Sequence, residues 1–508
     1  MNVLLLNTNS WGRAFTPIGL STVSSLLKER GHSTKLFDTT FYDDWEINEQ
    51  AEGEKYLSYK YTDLSSYGVE VNKGSQVEDL KHLVDEYQPD LIIFSILSSH
   101  LQGEGEYNMY YYGKELLKKS GLNNIPVLVG GIVPSVIPEE VMNDGLVDII
   151  CRGECEEAIA ELVDKMERGE DITTIKNLWV KKGNTIYKND VRPLDPNLDN
   201  LPYMDLSIFD DKNFFRPFMG KVYRAIDAEL SRGCYYRCNY CVETAVQDLY
   251  GYEKSKSGIV IDDRGYHREK SVDRILAEFK FLKENFNLEF IRFQDTKFLS
   301  MRYEKLRELS EKYPVEVGLP FYIETRPEDL TEKNSELLKV MGCVGVGMGL
   351  EQGSRVFRKN MLNRPCAEKV IIQACKNLRD QGIRATTYNV IGFPDETRSN
   401  IMETIELNRK AKPSSMTIAF YSPYVGTPMY ALSREKGIIP EDVTCLDQKL
   451  FAKVNLESLS AEELKGLRNT FVMYVLSPRF LWPLIRLAEK ENLIGRLIHR
   501  AFGAFLKP

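Results

Sequence analysis

The sequence lacks the features of secreted and membrane-spanning proteins. No basic leader or small-residue cleavage site follows Met1, so we expect a soluble, cytoplasmic chain with reduced thiols. The longest nearly apolar stretch, 470–485, contains Arg479 and two prolines and falls short of the roughly 18 apolar residues that span a bilayer. Histidine is scarce, with five residues, and charge of either sign is not in large excess, since the net charge is −8. That acidic balance gives no general electrostatic reason to bind nucleic acid.

What is present is an ordinary globular mixture of 43% hydrophobic and 28% charged residues, which excludes disordered, collagen-like and small disulfide-rich proteins. At about 150 residues per domain, 508 residues predict two to four domains. The cysteine count is nine, an odd number. In a reducing compartment, closely spaced cysteines indicate metal binding rather than disulfides.

Short apolar segments alternate with helical patterns in the first 170 residues. The predicted strands are 3–6, 33–37, 90–95, 126–129 and 147–150. Uniformly apolar strands separated by helices predict a parallel sheet covered on both faces. Small residues and glycines follow these strands, where open sheets of this kind bind ligands. A hairpin is predicted around Gly183-Asn184, and three prolines between 193 and 202 then interrupt regular structure.

Three cysteines, Cys234, Cys238 and Cys241, lie within eight residues directly after a predicted strand. Structural zinc usually takes four ligands as two separated pairs, and the sequence supplies no second pair here. A disulfide would leave one thiol over. Three thiolates on one loop instead suit three irons of a 4Fe–4S cluster, with the fourth iron open to a small molecule. The alternative is that core or zinc thiols fall in this pattern by chance.

Strand–helix units recur after the cysteines. Including the strand before them, the predicted strands are 225–230, 289–293, 321–323, 344–350, 385–391 and 416–421. Six such units predict a partial βα barrel with polar residues at the carboxyl ends of its strands, where barrel active sites lie. Gly347, Gly349 and Gly353 are better explained by close packing in the barrel than by a dinucleotide loop.

The spacing Cys-x3-Cys-x2-Cys and the ordered strand endings over about 225–435 resemble the radical S-adenosylmethionine superfamily. The resemblance implies that the three cysteines hold the cluster and that S-adenosylmethionine binds its open iron. It also implies contacts to S-adenosylmethionine from Tyr240, Asp295, Glu324, Arg326, Glu351, Gly392 and Glu396. Two positions depart from the family pattern, with Gln352 in place of serine and Asp395 in place of glycine. For Glu324 or Arg326 alone, a helix cap or a structural ion pair is an equal alternative.

The N-terminal region, about 1–170, resembles the cobalamin-binding domain that precedes many radical S-adenosylmethionine cores. The residues implied to contact cobalamin are Thr16, Pro17, Gly19, Leu20, Ser95, Ser98, Ser99, Gly130, Gly131, Gly153 and Glu154. The Asp-x-His-x-x-Gly motif that ligates cobalt in classical cobalamin proteins is absent from the sequence. The resemblance therefore implies cobalamin held without a histidine ligand. The alternative is a flavodoxin-like domain without a cofactor.

The predicted fold is α/β, with an N-terminal doubly wound parallel-sheet domain, a partial six-stranded βα barrel and a helical C-terminal segment. We expect domains at 1–195 and 223–440, a linker at 196–222 and a helical region at 441–508. Together the two resemblances imply a cobalamin-dependent radical S-adenosylmethionine enzyme that methylates an unactivated carbon. The methyl group would come from methylcobalamin, with no catalytic side chain assigned. The alternatives are a cyclase or rearrangement enzyme of the anaerobic tetrapyrrole cyclase type, and an iron–sulfur electron-transfer or regulatory protein.

The expected partners are a small-molecule substrate, hydrophobic in character, and a flavodoxin- or ferredoxin-type electron donor, without nucleic acid. The other six cysteines, including Cys151 and Cys155, are interpreted as buried or incidental thiols. The C-terminal segment is rich in Leu, Phe and Trp, and it carries six Lys or Arg against two Glu between 479 and 508. Such a segment can lie on a membrane surface or pack as a lid on the barrel, and packing is the favoured interpretation.

Overall fold

The computed structural model describes residues 1–9, 14–43, 62–94, 103–122, 124–252, 265–439 and 456–505. It divides into two compact units. The first contains the described residues of 1–48, 62–236 and 242–296, and the second contains those of 237–241 and 297–508. These limits differ from the predicted domain limits, which stay predictions. Ser95, Ser98, Ser99 and Cys445 lie outside the described residues, and the eight described cysteines are free thiols.

The first unit begins with a seven-stranded sheet in the order β2-β1-β3-β4-β5-β6-β7. Its strands are β1 (Asn2–Asn7), β2 (Ser33–Asp38), β3 (Leu91–Phe94), β4 (Val127–Val129), β5 (Ile149–Cys151), β6 (Leu178–Lys182) and β7 (Thr185–Lys188). The first five strands are parallel, and the hairpin β6–β7 extends the sheet in antiparallel register. Because β1 lies between β2 and β3, the strand order reverses there, which is where such sheets bind ligands. All five strands predicted in this region are confirmed.

Helices cover this sheet on the pattern that the sequence predicts. They are α1 (Ile18–Glu29), α2 (Gln76–Tyr87), α3 (Gly103–Ser120), α4 (Ile132–Val136), α5 (Pro138–Asn143) and α6 (Glu156–Glu167). Leu20 and Val23 of α1 and Ile159 of α6 pack with Val3 and Leu5 of β1 in one buried cluster. Burial of these apolar side chains supplies most of the driving force for this layer.

The first unit continues with strands from the start of the predicted barrel. They are β8 (Phe215–Phe218), β9 (Lys221–Ala228), β10 (Ser231–Arg232), β11 (Arg268–Glu269) and β12 (Phe290–Phe293), with helices α7 (Glu243–Leu249) and α8 (Val272–Phe286). β9 pairs with β12 in parallel and with β8 in antiparallel register. Met219 and Gly220 both have positive φ, 52° and 78°, as a tight two-residue hairpin turn requires. β9 therefore begins at Lys221, inside the segment predicted as a linker.

The second unit contains four parallel strands paired in sequence order, β13 (Phe321–Thr325), β14 (Cys343–Glu351), β15 (Arg384–Ile391) and β16 (Ser415–Phe420). Helices follow these strands, and three further helices form the C-terminal part of the described chain. They are α9 (Tyr303–Glu316), α10 (Glu332–Met341), α11 (Arg355–Asn360), α12 (Glu368–Asp380), α13 (Arg398–Ala411), α14 (Pro428–Glu435), α15 (Ala461–Leu476), α16 (Trp482–Ala488) and α17 (Leu493–Phe505). With β9 and β12, these strands confirm the six predicted βα units and the predicted fold class.

The C-terminal helices pack on the last strand–helix unit. Phe471 of α15 and Ile485 of α16 are buried with Ile405 of α13 and Phe420 of β16. Arg468 of α15 donates a hydrogen bond to the carbonyl of Ile418 at 3.3 Å, which helps to cover the outer strand. The inner face of this segment is therefore packed on the barrel, and its role as a lid over the barrel mouth stays a prediction. None of the described helices has the length and apolar composition needed to cross a bilayer.

Candidate active site

Polar side chains of the first unit fix the loop that carries Cys234. The Cys234 amide donates to Glu243 Oε1 at 3.0 Å, and Gln247 Nε2 donates to the Cys234 carbonyl at 2.7 Å. Gly233 before it has φ +88°, and a Cβ there would lie 2.5 Å from the Tyr266 carbonyl oxygen. Only glycine fits this turn. The backbone that presents Cys234 is thus set by glycine geometry and by buried side chains on α7.

In the second unit, the segment 237–241 is attached by its backbone to distant parts of the chain. The Asn239 amide donates to the carbonyl of Leu362 at 3.1 Å, and the Asn239 carbonyl accepts from the Met429 amide at 2.9 Å. Asn363 Nδ2 donates to the Arg237 carbonyl at 2.7 Å. These contacts place Cys238 against the loop that follows α11.

Two buried guanidinium groups lie beside Cys238. Arg326 Nη1 is 3.4 Å from the Cys238 sulfur, and Arg364 Nη1 is 4.0 Å from it. Guanidinium groups at such distances can donate charge-assisted hydrogen bonds to a sulfur that ligates iron. The surroundings of Cys238 therefore fit a cluster ligand. Arg364 was not predicted as a site residue, because its neighbours Asn363 and Pro365 indicate a turn but no ligand.

Glu351 lies next to the same arginine. It has φ +63°, in the left-handed region that a glutamate rarely adopts, and such strain concentrates at functional sites. Its carboxylate is 4.0 Å from Arg364 and forms a hydrogen bond with the side chain of Tyr240. Burial raises the pKa of Glu351, and the charge of Arg364 opposes that rise. A Cβ on Gly349 would be 2.0 Å from Glu351 Oε1, so the glycine makes room for this carboxylate.

Glu324, at the end of β13, accepts a hydrogen bond from Tyr388 at 2.8 Å, and Tyr388 in turn contacts the Tyr322 hydroxyl at 2.8 Å. A Cβ on Gly347 would lie within 2.5 Å of both hydroxyl groups. Gly353 approaches the backbone of α13 equally closely, so close packing explains all three glycines of this region, as predicted.

The second unit thus gathers Tyr240, Arg326 and Glu351, of the predicted S-adenosylmethionine residues, around Cys238 and Arg364. Their contact with the ligand stays a prediction. Carboxylates beside fixed guanidinium groups are suited to hold the amino, carboxylate and ribose groups of such a molecule.

Glu396 closes the turn after β15. Its carboxylate accepts hydrogen bonds from the amides of Gly392 and Phe393 and from Gln352 Nε2, the last at 3.2 Å. The side chain is fully buried, and burial raises its pKa to about 7. These contacts are those of a turn-stabilising group, and the predicted contacts of Glu396 and Gly392 with S-adenosylmethionine stay predictions.

The raised pKa of Glu396 predicts a pH-dependent stability. Between its ordinary pKa of 4.5 and about 7, the folded protein keeps a proton that the unfolded chain has lost, so stability falls as pH rises. The loss is on the order of 3 kcal/mol at 1.36 kcal/mol per pKa unit. The side chain of the Glu396→Gln variant is neutral at every pH. We therefore expect the urea midpoint of the variant, relative to that of the parent, to rise between about pH 5 and about pH 8. A constant difference between the two proteins across this range would contradict the prediction.

Asp395, which stands where the family pattern has glycine, has φ +59°. Its side chain reaches Lys436 Nζ at 2.8 Å on the protein surface. Because exposed ion pairs contribute little and glycine adopts this φ freely, we expect Asp395→Gly to stabilise the protein by about 0.5–1 kcal/mol. The measurement is the thermal unfolding midpoint of Asp395→Gly compared with that of Asp395→Ala, which removes the ion pair but keeps a side chain at a positive φ. A midpoint below that of Asp395→Ala would refute the expectation.

In the first unit, Asp295 is buried and accepts hydrogen bonds from the Leu230 amide at 3.1 Å and from Ser231 Oγ at 2.6 Å. Burial raises its pKa to about 7. The carboxyl group therefore holds the chain that leads into the cysteine loop. Its predicted contact with the methionine amino group stays a prediction.

Thr16 and Pro17, predicted to contact cobalamin, precede α1, while Gly19 and Leu20 form its first turn, with the Leu20 side chain in the core. The Thr16 amide donates to Asp227 Oδ2 at 3.0 Å, and the Asp227 amide donates to Thr16 Oγ1 at 2.8 Å. Arg216 neutralises Asp227 at 2.5 Å. This reciprocal pair fixes the loop after β1 to strand β9.

The remaining described cobalamin candidates lie after β4 and β5. Gly131 has φ +85° and Gly153 has φ +72°, and the Gly153 amide donates to Ser135 Oγ at 2.8 Å. Gly130 directly precedes Gly131. The Glu154 carboxylate is bound by Arg268 and lies 3.4 Å from Arg232. Glu154 therefore already has ion-pair partners, and its contact with cobalamin stays a prediction, as do those of the glycines.

Comparison with known proteins finds two family models that match this chain. The model of the B12 binding domain matches residues 6–163, and that of the Radical SAM superfamily matches residues 228–407. A protein of Pyrococcus horikoshii named as an uncharacterized methyltransferase is 24% identical over 413 residues, which cover 79% of this chain and 82% of that protein.

Two further relatives carry specific names. The hopanoid C-3 methylase of Methylococcus capsulatus is 25% identical, covering 81% of this chain and 67% of that protein. The anaerobic magnesium-protoporphyrin IX monomethyl ester cyclase of Rubrivivax gelatinosus is 22% identical, covering 62% of this chain. The matched region spans 54% of the cyclase.

Among solved structures, the radical S-adenosylmethionine methyltransferase TsrM of Kitasatospora setae, with cobalamin and a [4Fe-4S] cluster bound, has a TM-score of 0.62 and 16% identity. The match covers 86% of this chain and 78% of TsrM, and it shows a shared fold. The two matched models are named for S-adenosylmethionine and for cobalamin (B12), two of the three predicted cofactors. The chain thus carries a B12 binding domain followed by a Radical SAM superfamily domain.

Proposed function

We propose that this enzyme methylates an unactivated carbon of a small, hydrophobic molecule. When bound, the cofactors supply replacement of a C–H bond by C–CH3, with two S-adenosylmethionine and two electrons yielding 5′-deoxyadenosine, methionine and S-adenosylhomocysteine. A flavodoxin- or ferredoxin-type donor in the cytoplasm supplies the electrons. The observation that carries the proposal is the buried pair of Thr16 and Asp227, which joins the loop predicted to hold cobalamin to the first parallel strand of the radical domain.

The residues of the chain bind the cofactors and orient them. Cys234, Cys238 and Cys241 are the proposed cluster ligands, and Arg326 and Arg364 stabilise negative charge at Cys238. Glu351 and Tyr240, hydrogen-bonded to each other, are placed to orient the ribose of S-adenosylmethionine.

Anaerobic reconstitution with iron, sulfide and hydroxocobalamin tests this function. We expect tight cobalamin binding and, after reduction, 5′-deoxyadenosine from S-adenosylmethionine labelled with deuterium in its methyl group. Absence of 5′-deoxyadenosine would remove the radical chemistry. Absence of cobalamin binding would remove the methylation and leave the radical chemistry intact. So would a failure to transfer the labelled methyl group to cobalamin with release of unlabelled S-adenosylhomocysteine.

A cyclase or rearrangement reaction is the second candidate, and the partial match to the magnesium-protoporphyrin ester cyclase favours it. Mass spectrometry of the product formed in the reaction with labelled S-adenosylmethionine distinguishes the two. A methylated product carries three deuterium atoms from the labelled methyl group, whereas a cyclised product carries none.

A further inference from the structure

Exposed leucine and isoleucine side chains are concentrated at the C-terminal end. In the described part of the chain, every exposed Leu and Ile lies between residues 476 and 497. The set, which we call the C-terminal face, also contains one aromatic residue. Its members are Leu476, Phe480, Leu484, Leu487, Leu493, Ile494 and Leu497. Leu493 is 66% exposed and Phe480 is 79% exposed, so these side chains contribute little to the core.

The helices that carry this face are firmly attached by their opposite side. Ile485, Ala488 and Ile498 are buried against α13 and α15. Glu489 binds Arg398 of α13 at 2.8 Å and accepts a hydrogen bond from Tyr474 of α15 at 2.6 Å. Since the inner side already satisfies packing, the exposed apolar residues are available to something outside the chain.

The exposed charges around the face are mainly positive. Arg486, Lys490, Arg496 and Arg500 are exposed, and none of them has a carboxylate partner within 4.0 Å among the described residues. The two glutamates of this segment have other partners, because Glu489 binds Arg398 and Glu491 binds Lys465 at 3.0 Å. A second copy of the chain would bring four like charges against four, which disfavours self-association.

We propose that the C-terminal face binds the surface of an anionic lipid bilayer. Helices with an exposed apolar side flanked by Lys and Arg lie in the interface, with apolar side chains at the acyl boundary and cations at the lipid phosphates. None of the described helices can cross a bilayer, so the contact is peripheral. This inference does not rest on the proposed reaction.

Co-sedimentation of the full-length reconstituted protein with vesicles tests the proposal. We expect binding to mixed phosphatidylcholine–phosphatidylglycerol vesicles, weak binding to pure phosphatidylcholine, and release as sodium chloride is raised. Leu493→Ser with Leu497→Ser removes apolar contact, and Arg496→Gln with Arg500→Gln removes charge. Each double variant should lower the partition coefficient about tenfold or more.

Val340→Ser with Val356→Ser is the matched control, since both valines are exposed and lie outside the C-terminal face. It should bind vesicles as the parent does, and all variants should keep the parent thermal midpoint. Equal sedimentation with neutral and anionic vesicles, or no sedimentation at all, would overturn the proposal. So would self-association in light scattering that the leucine variants abolish, because a second copy would then occupy the face.

Discussion

Cys238→Ala is expected to reduce 5′-deoxyadenosine production to the level of the iron-free protein. Three thiolates on one loop hold a 4Fe–4S cluster, and loss of one leaves a second iron without a protein ligand. The Cys238 sulfur is buried, with Arg326 at 3.4 Å and Arg364 at 4.0 Å, and alanine leaves no sulfur at this position. Iron content, the visible absorption of the reconstituted protein and 5′-deoxyadenosine yield are the measurements.

Cys375→Ala is the matched control. Cys375 is a fully buried thiol of α12, and burial raises its pKa to about 12, which is opposite to what a metal-ligating thiolate needs. This variant should keep the iron content and product yield of the parent at a modest loss of stability. Parent-level 5′-deoxyadenosine from Cys238→Ala would disprove the assignment of the cluster ligand. Equal loss from both variants would show that the effect is one of folding.

Much of the fold could be predicted because it depends on local pattern. Strands buried on both faces are uniformly apolar, and their alternation with helices leaves few topologies. The cysteine spacing was equally readable, since its chemistry lies within eight consecutive residues. Two kinds of feature could not be predicted: backbone conformations that are unusual for their residue type, and contacts between residues far apart in the chain. The β8–β9 hairpin turns at Met219, a residue with no turn preference, and the sequence gives no cue to its positive φ.

Side-chain partners were the least predictable part of the site. Arg364 reaches Cys238 across 126 residues, and Glu154 finds Arg268 across 114. A resemblance assigns residues to a ligand by their position along the chain. It does not show that, in the folded protein, the same charged side chains already contact one another. Asp295 and Glu396 show the same effect, because each is a buried carboxyl group that already accepts hydrogen bonds within the protein. Asp295 accepts from Ser231, and Glu396 accepts from the Gly392 amide of its own turn.

Arg232→Met should destabilise the first unit by about 3–5 kcal/mol, the cost of leaving buried charges without a partner. Arg232 is buried directly before the cysteine loop. It donates to Glu229 Oε1 at 2.7 Å and to Glu156 Oε1 at 2.7 Å, and Glu154 lies 3.4 Å away. Methionine fills a similar volume without charge, so Glu229 and Glu156 must be desolvated alone or protonated. A urea titration followed by circular dichroism measures the loss, which is large beside a typical total of 5–15 kcal/mol.

Arg307→Met is the control for this change. Arg307 is exposed on α9 and 4.0 Å from Glu311, and such surface pairs contribute about 0.3–0.5 kcal/mol. Adding Glu229→Gln to Arg232→Met should recover about 1 kcal/mol or more, since it removes one of the stranded carboxylates. Equal losses from Arg232→Met and Arg307→Met would disprove the argument. Arg232 connects the loop after β5, through Glu156, to the start of the cysteine loop. We therefore expect the Arg232→Met variant to lose both cobalamin binding and iron content.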